Sequence, residues 1–357
     1  MYKKVLIKIG TNVITNDDGF LNIDIMKDIV SQVVSLRKKA VHVVLVSSGA
    51  MGAGRSLITL RRTKQEVILR QTLAAVGQVS LMSRYADLFK TYGFMIAQVL
   101  ATKEDFRDRK HYLNMKQCID GLLDEHIIPI LNENDVVAVE ELMFTDNDEL
   151  AGLVAAMIGA DSLIILSNVD GVYDRDPRAE GATLLHQLEP DGIDTIQCAG
   201  ASKSKFGRGG ISTKLSIAKK CARAGIATHI INGRTSGSIL KVFASLPVGT
   251  TIIAKKKKMP AVKKWIAHST GNEKGIVHLN ECAESALRAK DKANSLLSVG
   301  ITRVDGDFER GDIIKIKNYK AKEIGIGRAE YSAETARKYI GQKGKRPLIH
   351  YDYLVLW

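Results

Sequence analysis

Over its first 250 residues the chain alternates between short β-branched runs and longer segments whose apolar residues recur at three- and four-residue spacing. This alternation is typical of βα units with a mainly parallel sheet. We therefore predict an α/β fold with an open sheet. The predicted strands are Val5–Ile9, Val41–Val46, Met95–Leu100, Ile127–Leu131, Leu163–Leu166 and Thr228–Ile231. The predicted helices are Ile25–Lys39, Gln65–Tyr92, Tyr112–Glu125, Glu149–Ile158 and Thr213–Ala224.

The length of 357 residues is enough for about two domains. A turn at residues 246–250 ends the alternating part, and four consecutive lysines follow at residues 255–258. We predict a catalytic domain over residues 1–254, a basic linker over 255–258 and a small, strand-rich domain over 259–357.

The net charge of +13 is concentrated in the last part of the chain, since residues 255–357 carry 22 Lys+Arg and 12 Asp+Glu. Such asymmetry is found in proteins that bind a polyanion, and it also arises from an ordinary solvated surface. RNA binding by this basic part therefore stays open. The tyrosines in it are scattered and form no evident stacking platform for single strands.

The sequence favours a cytoplasmic protein with no membrane association. No apolar run approaches the roughly 18 residues that a membrane span needs. The apolar run near the N-terminus is too short for a signal-peptide core, and Lys8 interrupts it. The cysteines are far apart and lack the paired spacing of a zinc site or a disulfide framework: Cys118, Cys198, Cys221 and Cys282.

Five clusters of glycines and polar residues follow predicted strands or open predicted helices. They are Lys8–Asn12, Ser47–Gly54, Asn132–Asp135, Thr145–Glu149 and Gly207–Lys214. Ligands of open α/β sheets bind where strands end at their carboxyl side. A lysine beside glycine-rich backbone at such a position favours a phosphate group. Each cluster taken alone could also be a turn or a helix cap.

In this order and spacing, the clusters resemble the amino-acid kinase family, and within it the members that phosphorylate free glutamate. The most specific motifs are NEND at Asn132–Asp135, DND at Asp146–Asp148 and GGISTK at Gly209–Lys214. The basic tail looks like the PUA domain that many bacterial members carry. The implied architecture is an αβα sandwich followed by a small β-rich PUA-like domain.

The resemblance implies transfer of a phosphoryl group from ATP, accompanied by Mg²⁺, to the side-chain carboxylate of L-glutamate. The product would be L-glutamyl 5-phosphate, at the start of proline synthesis. Motif matching gives three catalytic residues, Lys8, Lys214 and Asp148, and three glutamate-binding residues, Ser48, Asp135 and Asn147. The matching ATP-binding residues are Lys8, Ser167, Asn168, Arg208, Gly209, Gly210, Ile211, Ser212, Thr213 and Lys214. No protein ligand to a metal is implied.

The expected chemistry needs no general base, because a carboxylate with a pKa of about 4.3 is already ionised near neutral pH. The site must instead align two anions and neutralise the developing charge. We therefore expect direct transfer without a phosphoenzyme. The resemblance also implies proline feedback inhibition, a homo-oligomer and coupling to glutamate-5-semialdehyde dehydrogenase.

One departure from the family pattern concerns positive charge beside the transferred group. Many relatives have Lys-x-Gly just before the DND motif, where this chain has Met143-Phe144-Thr145. We expect Arg208 to compensate, or turnover to be lower. A sister kinase acting on aspartate or acetylglutamate is the alternative enzyme, and Asp135, suited to a free amine, argues against an acylated substrate.

Overall fold

The computed structural model describes residues 2–16, 18–58, 66–138, 144, 146–193, 210–255, 263, 266, 273–289 and 294–356. The chain divides into two compact units, Met1–Lys258 and Met259–Trp357. No helix in the described part of the chain is long and apolar enough to cross a membrane.

The first unit contains a sheet of eight described strands in the order β3-β4-β2-β1-β5-β7-β8-β6. The strands are β1 (Lys4–Ile9), β2 (His42–Ser47), β3 (Ile96–Ala101), β4 (Ile128–Glu133), β5 (Ser162–Ser167), β6 (Gln187–Leu188), β7 (Ala227–Asn232) and β8 (Thr250–Ile252). Neighbouring strands pair in parallel except β7 and β8, which are antiparallel. The predicted mainly parallel α/β fold is confirmed, with all six predicted strands present.

The helices of this unit are α1 (Thr11–Ile14), α2 (Ile23–Lys38), α3 (Ala50–Leu57), α4 (Glu66–Lys90), α5 (Lys103–Arg107), α6 (Arg109–Asp124), α7 (Asn147–Ile158), α8 (Ile211–Arg223) and α9 (Ser238–Phe243). The five predicted helices correspond to α2, α4, α6, α7 and α8. Their ends differ from the prediction by a few residues, and α8 begins two residues earlier than expected.

Helices cover both faces of the sheet. Val5, Ile7 and Ile9 of β1 pack in one apolar core with residues of α2 and α4. On the other face, α7 contacts β1, β2, β4 and β5, and it packs against α6 and α8. Because both faces are covered, the central strands are buried along nearly their whole length instead of alternating between buried and exposed residues, as is typical of parallel sheets.

Helix α3 was not predicted because its sequence AMGAGRSL contains two glycines, which weaken the helical pattern. The glycines serve packing instead. A Cβ atom on Gly54 would lie 2.1 Å from the Leu73 carbonyl oxygen, and one on Gly77 would lie 1.7 Å from the Ala50 carbonyl oxygen. Only glycine at both positions allows α3 and α4 to approach this closely.

The second unit contains a five-stranded sheet in the order β10-β9-β11-β12-β13. Its strands are β9 (Gly275–Leu279), β10 (Ile301–Gly306), β11 (Ile313–Lys317), β12 (Glu323–Arg328) and β13 (Leu354–Leu356). Two helices, α10 (Glu281–Arg288) and α11 (Ala333–Tyr339), accompany the sheet. The unit has an apolar core of its own, which includes Val277, Ile314 and Leu348. It is the β-rich second part that the sequence predicted.

The buried His229 on β7 makes stability depend on pH. Its ring nitrogens lie 3.0 Å from the Tyr2 hydroxyl and 2.9 Å from the Thr251 hydroxyl. Burial lowers the pKa of His229 to about 4. Because the folded state disfavours the protonated ring, stability is lost as pH falls from about 6.5, the ordinary histidine pKa, towards 4.

We expect His229→Gln to flatten this dependence, since glutamine offers polar atoms but takes up no proton. The difference between the free energies of unfolding at about pH 7 and about pH 4.5 should be smaller in the variant by about 1–3 kcal/mol. Urea unfolding followed by circular dichroism measures it. An unchanged difference would show that His229 does not set the pH dependence.

Candidate active site

The carboxyl ends of four strands converge at one edge of the sheet. In register, Ile9 of β1 lies between Ser47 of β2 and Leu166 of β5. After β1 the chain passes to β2 on one side, and after β5 it passes to β6 and then β7 on the other side. This reversal between β1 and β5 is a topological switch point, where open α/β sheets bind ligands.

A cavity of about 560 Å³ lies at this edge. It brings together residues from all of the predicted clusters that the structure describes. Its lining includes Lys8, Gly10, Asn12, Ser48, Gly49, Asn132, Glu133, Asp135, Asp146, Asn147, Asp148, Ser167, Asn168 and Lys214. All six residues predicted for catalysis and glutamate binding are among them. No histidine is found among the described residues of this lining.

Two lysines share one buried carboxylate at the centre of the cavity. Lys8 Nζ lies 2.8 Å from Asp148 Oδ1, and Lys214 Nζ lies 3.0 Å from Asp148 Oδ2. The Asp148 residue is fully buried, and both lysines are less than a tenth exposed. We call Lys8, Asp148 and Lys214 the two-lysine clamp.

The two-lysine clamp carries a net charge of +1. Burial alone would raise the pKa of Asp148, but the ammonium groups of Lys8 and Lys214 outweigh burial and hold that pKa below its usual value. Asp148 therefore stays ionised, and one positive charge is left uncompensated within the clamp. A buried positive charge facing a cavity favours an anionic ligand.

Local structure explains how the clamp is assembled. Lys8 is the penultimate residue of the central strand β1, and Gly10 comes directly after the strand. A Cβ atom on Gly10 would lie 3.3 Å from the Leu166 carbonyl oxygen, so a side chain there would be tightly packed. Asp146 caps α7 by accepting hydrogen bonds from the backbone N–H groups of Asp148 and Glu149. The cap fixes the first turn of α7, which carries Asp148. Helix capping was the alternative that the sequence left open for this cluster, and Asp146 is the residue that caps.

Ser48, Asn147 and Asn132 form a polar chain on one side of the clamp. Asn147 Nδ2 donates to Ser48 Oγ at 2.7 Å and to Asn132 Oδ1 at 2.9 Å. Asn132 was recognised in the NEND motif but was not predicted to have a role of its own. Spacing along the sequence alone could not show that Asn132 contacts Asn147.

The carboxylates of the NEND motif lie in a partly buried environment. The pKa of Glu133 is raised to about 7, mainly by burial and to a smaller extent by the charge of Asp135. The backbone N–H of Phe144 donates to Glu133 Oε1 at 2.7 Å and opposes this shift. Burial also raises the pKa of Asp135, with Arg70 opposing. An ammonium ligand beside Asp135 would favour its ionised form.

On the other side of the clamp, Ser167 is buried and Asn168 is exposed at the end of β5. Gly210 is the N-cap of α8, whose first turn contains Ile211, Ser212 and Thr213. Lys214, the next residue of α8, lines the cavity, whereas Gly210, Ile211, Ser212 and Thr213 are not among its lining residues. The other predicted contacts, Arg208 and Gly209, lie outside the described residues, as do Met143 and Thr145.

A magnesium ion fits this site only as a companion of a phosphate ligand. The described residues contain no group of three or more His, Cys, Asp or Glu side chains arranged to hold a metal. Mg²⁺ commonly uses one or two carboxylates together with water and substrate phosphates. Asp146 lines the cavity, and burial together with Asp148 raises its pKa, so a nearby cation would stabilise its ionised form.

Comparisons with known proteins identify the class. Residues 3–232 match the model of the amino acid kinase family, and residues 275–350 match the model of the PUA domain. The chain belongs to the amino acid kinase family.

The chain is also similar along its full length to individual curated proteins. One is a glutamate 5-kinase from Chlorobaculum tepidum, 48% identical over 100% of this chain and 98% of that protein. A glutamate 5-kinase from Bacteroides thetaiotaomicron is 43% identical over 99% of both chains. A solved UMP kinase from Bacillus anthracis is 15% identical, with a TM-score of 0.49, over 71% of this chain and 96% of that one.

Asp148→Asn should strongly destabilise the protein, because it leaves two buried ammonium groups without their counter-ion. We expect a loss of about 3–5 kcal/mol in the free energy of unfolding. Asp120→Asn is the matched control, since Asp120 also contacts two lysines, Lys4 and Lys116, but its side chain is 31% exposed. The control should lose about 1 kcal/mol or less.

Denaturant unfolding of both variants and the unsubstituted protein measures these losses. Equal losses at positions 148 and 120 would contradict the distinction between a buried and an exposed charge cluster.

Proposed function

We propose that this chain is an ATP-dependent kinase that phosphorylates the side-chain carboxylate of L-glutamate to give L-glutamyl 5-phosphate, the first step of proline biosynthesis. The observation that carries the proposal is the two-lysine clamp in one cavity with Ser48, Asp135 and Asn147. The two full-length relatives described as glutamate 5-kinases support the same substrate.

The amino-acid side of the cavity suits a substrate with a free amine and two carboxylates. Asp135 offers an anion to the ammonium group. Ser48 and the first backbone N–H groups of α3 offer donors to a carboxylate, since the start of a helix attracts anions. N-acetylglutamate has no ammonium group for Asp135, so it fits this arrangement less well than glutamate.

The clamp and the start of α8 suit the nucleotide. Kinases of this family use ATP, and we propose that Lys8 and Lys214 hold its terminal phosphates while Asp148 positions both lysines. Ser167, Asn168 and Gly210–Thr213 would contact the rest of the nucleotide, together with Arg208 and Gly209. Mg²⁺ would enter with ATP and neutralise part of the phosphate charge when bound.

The reaction follows from these charges. The substrate carboxylate is already ionised and attacks the terminal phosphorus directly, so no residue has to remove a proton. Two ammonium groups aimed at the transferred group stabilise charge that grows in the transition state. We propose one in-line transfer, with no phosphorylated form of the protein.

The second unit is proposed to be a PUA-like domain over residues 259–357, joined to the catalytic residues 1–254 by the linker 255–258. RNA binding by it stays a prediction, tested by a salt-dependent shift of RNA with this segment. Proline inhibition, a homo-oligomer, coupling to glutamate-5-semialdehyde dehydrogenase and a cytoplasmic location are further proposals from the family resemblance. Compensation for Met143 by Arg208 is also a proposal.

Trapping with hydroxylamine tests the proposed reaction, because it converts an acyl phosphate to a stable hydroxamate. With ATP and Mg²⁺, we expect hydroxamate and ADP in equal amounts from glutamate, and little from aspartate or N-acetylglutamate. More hydroxamate from aspartate or N-acetylglutamate than from glutamate would show that glutamate is not the preferred substrate. A covalently phosphorylated protein would contradict direct transfer.

Lys8→Ala should lower kcat more than it raises the KM for glutamate, because Lys8 acts on the phosphoryl group rather than on the amino acid. We expect a fall in kcat of about 100-fold or more. Steady-state assays at saturating ATP measure both constants. Lys4→Ala is the control, since Lys4 is on the same strand but pairs with Asp120 away from the cavity, and it should leave both constants near normal. An effect of Lys8→Ala on KM alone would contradict the proposed role.

A further inference from the structure

The polar chain beside the clamp extends one residue further, into α4. Gln78 Oε1 accepts a hydrogen bond from Asn132 Nδ2 at 2.8 Å. Asn132 Oδ1 then accepts from Asn147 Nδ2, which also donates to Ser48. Gln78 is not among the residues lining the cavity, so it reaches the site only through Asn132.

One backbone group sets the direction of every hydrogen bond that links Gln78, Asn132, Asn147 and Ser48. The backbone N–H of Glu133 donates to Asn132 Oδ1 at 2.9 Å. A backbone N–H can only donate, so the Asn132 atom that faces it must be the oxygen. The Asn132 nitrogen must therefore face Gln78, which has to present an oxygen in return.

The same logic fixes the amide of Asn147. The group that faces the Asn132 oxygen must be a donor, so it is the Asn147 nitrogen. Both hydrogens of that nitrogen are used within the protein, by Asn132 and Ser48. Asn147 lines the cavity, and its remaining polar side-chain atom is the carbonyl oxygen. That oxygen can accept a hydrogen bond but cannot donate one.

We propose that Gln78 is a positioning residue for substrate specificity: through Asn132 it holds the Asn147 carbonyl oxygen towards the ammonium group of the substrate. The inference rests on the proposed function and deepens it. Asp135 supplies charge to the ammonium group, and Asn147 supplies an oriented neutral acceptor. The Ser48 oxygen accepts from Asn147, so its hydroxyl hydrogen is available for a substrate carboxylate.

The close approach of α3 and α4 explains why Gln78 can do this. Gly77 packs against the Ala50 carbonyl oxygen, near the start of α3, and places the next residue beside the end of β4. Without the Gln78 acceptor, the Asn132 nitrogen loses its partner. The Asn132 amide then keeps only the two hydrogen bonds at its oxygen, from the Glu133 N–H and from Asn147, and the Asn147 amide is less firmly fixed.

The test compares binding of glutamate with binding of glutarate, which has the same two carboxylates and no amine. Titration calorimetry without ATP gives both dissociation constants. In Gln78→Met we expect the preference for glutamate over glutarate to fall about tenfold, the size of one hydrogen bond to a charged group. A loss of packing alone would weaken both ligands equally and leave the preference unchanged.

Two further variants complete the experiment. Gln78→Glu keeps an acceptor oxygen for Asn132 and should retain most of the preference. Gln117→Met makes the same change as Gln78→Met at an exposed position of α6, and it should change nothing. If Gln78→Met does not fold, as judged by circular dichroism, Gln78→Leu replaces it.

The outcomes separate the two proposals. Suppose that the unsubstituted protein forms acyl phosphate from glutamate and prefers glutamate to glutarate. If Gln78→Met then keeps the full preference, the proposed role of Gln78 is wrong and the proposed function stands. If the unsubstituted protein forms no acyl phosphate with glutamate, the proposed function itself fails. A selective loss in Gln78→Met that Gln78→Glu restores supports the positioning role.

Discussion

The buried Asp148 carboxylate between two lysines is the interaction on which the rest of the site depends. Placing one anion between two cations leaves a net positive charge in a cavity from which water is partly excluded. Such a charge is costly unless an anion binds there. The fold brings these three groups together from different elements: Lys8 is on the central strand, Asp148 is in the first turn of α7 and Lys214 is in the first turn of α8. A phosphate group would complete the charge balance.

The two sides of the cavity use different physical means. The proposed nucleotide side would rely on positive charge and on the start of α8, which suit phosphates of any nucleotide and give little selectivity by themselves. The amino-acid side relies on a directed chain of hydrogen bonds, from Gln78 through Asn132 and Asn147 to Ser48. Directed bonds discriminate between ligands because a wrong ligand leaves a polar group unpaired. In the proposed function, charge therefore serves catalysis and hydrogen-bond direction serves specificity.

Much of this arrangement could be predicted from the sequence, because its determinants are local. Apolar runs defined the strands, and the ends of parallel strands meet at one edge, so the polar clusters were expected to lie near one another. The grouping of Lys8, Asp148 and Lys214 was implied by the resemblance to the amino-acid kinase family. The short glycine-containing α3 was missed, because its glycines are chosen for close packing against α4 rather than for helix formation. The hydrogen bond between Gln78 and Asn132, which carries the proposed positioning role, was missed for the same reason, since it depends on that packing and not on spacing along the chain. The expected contributions of Arg208 and Met143 fall outside the described residues and stay predictions.

The most direct test of the two-lysine clamp is the turnover of Asp148→Asn, measured together with ligand binding at a temperature where the variant is folded. If Asp148 holds both lysines in position for the transferred group, kcat should fall about 100-fold or more, since correctly aimed charge is worth that much in the transition state. The dissociation constant for glutamate should stay within about threefold, because Asp148 acts on the phosphoryl group rather than on the amino acid. Turnover close to that of the unsubstituted protein, with both lysines still in place, would contradict the central role of this buried carboxylate.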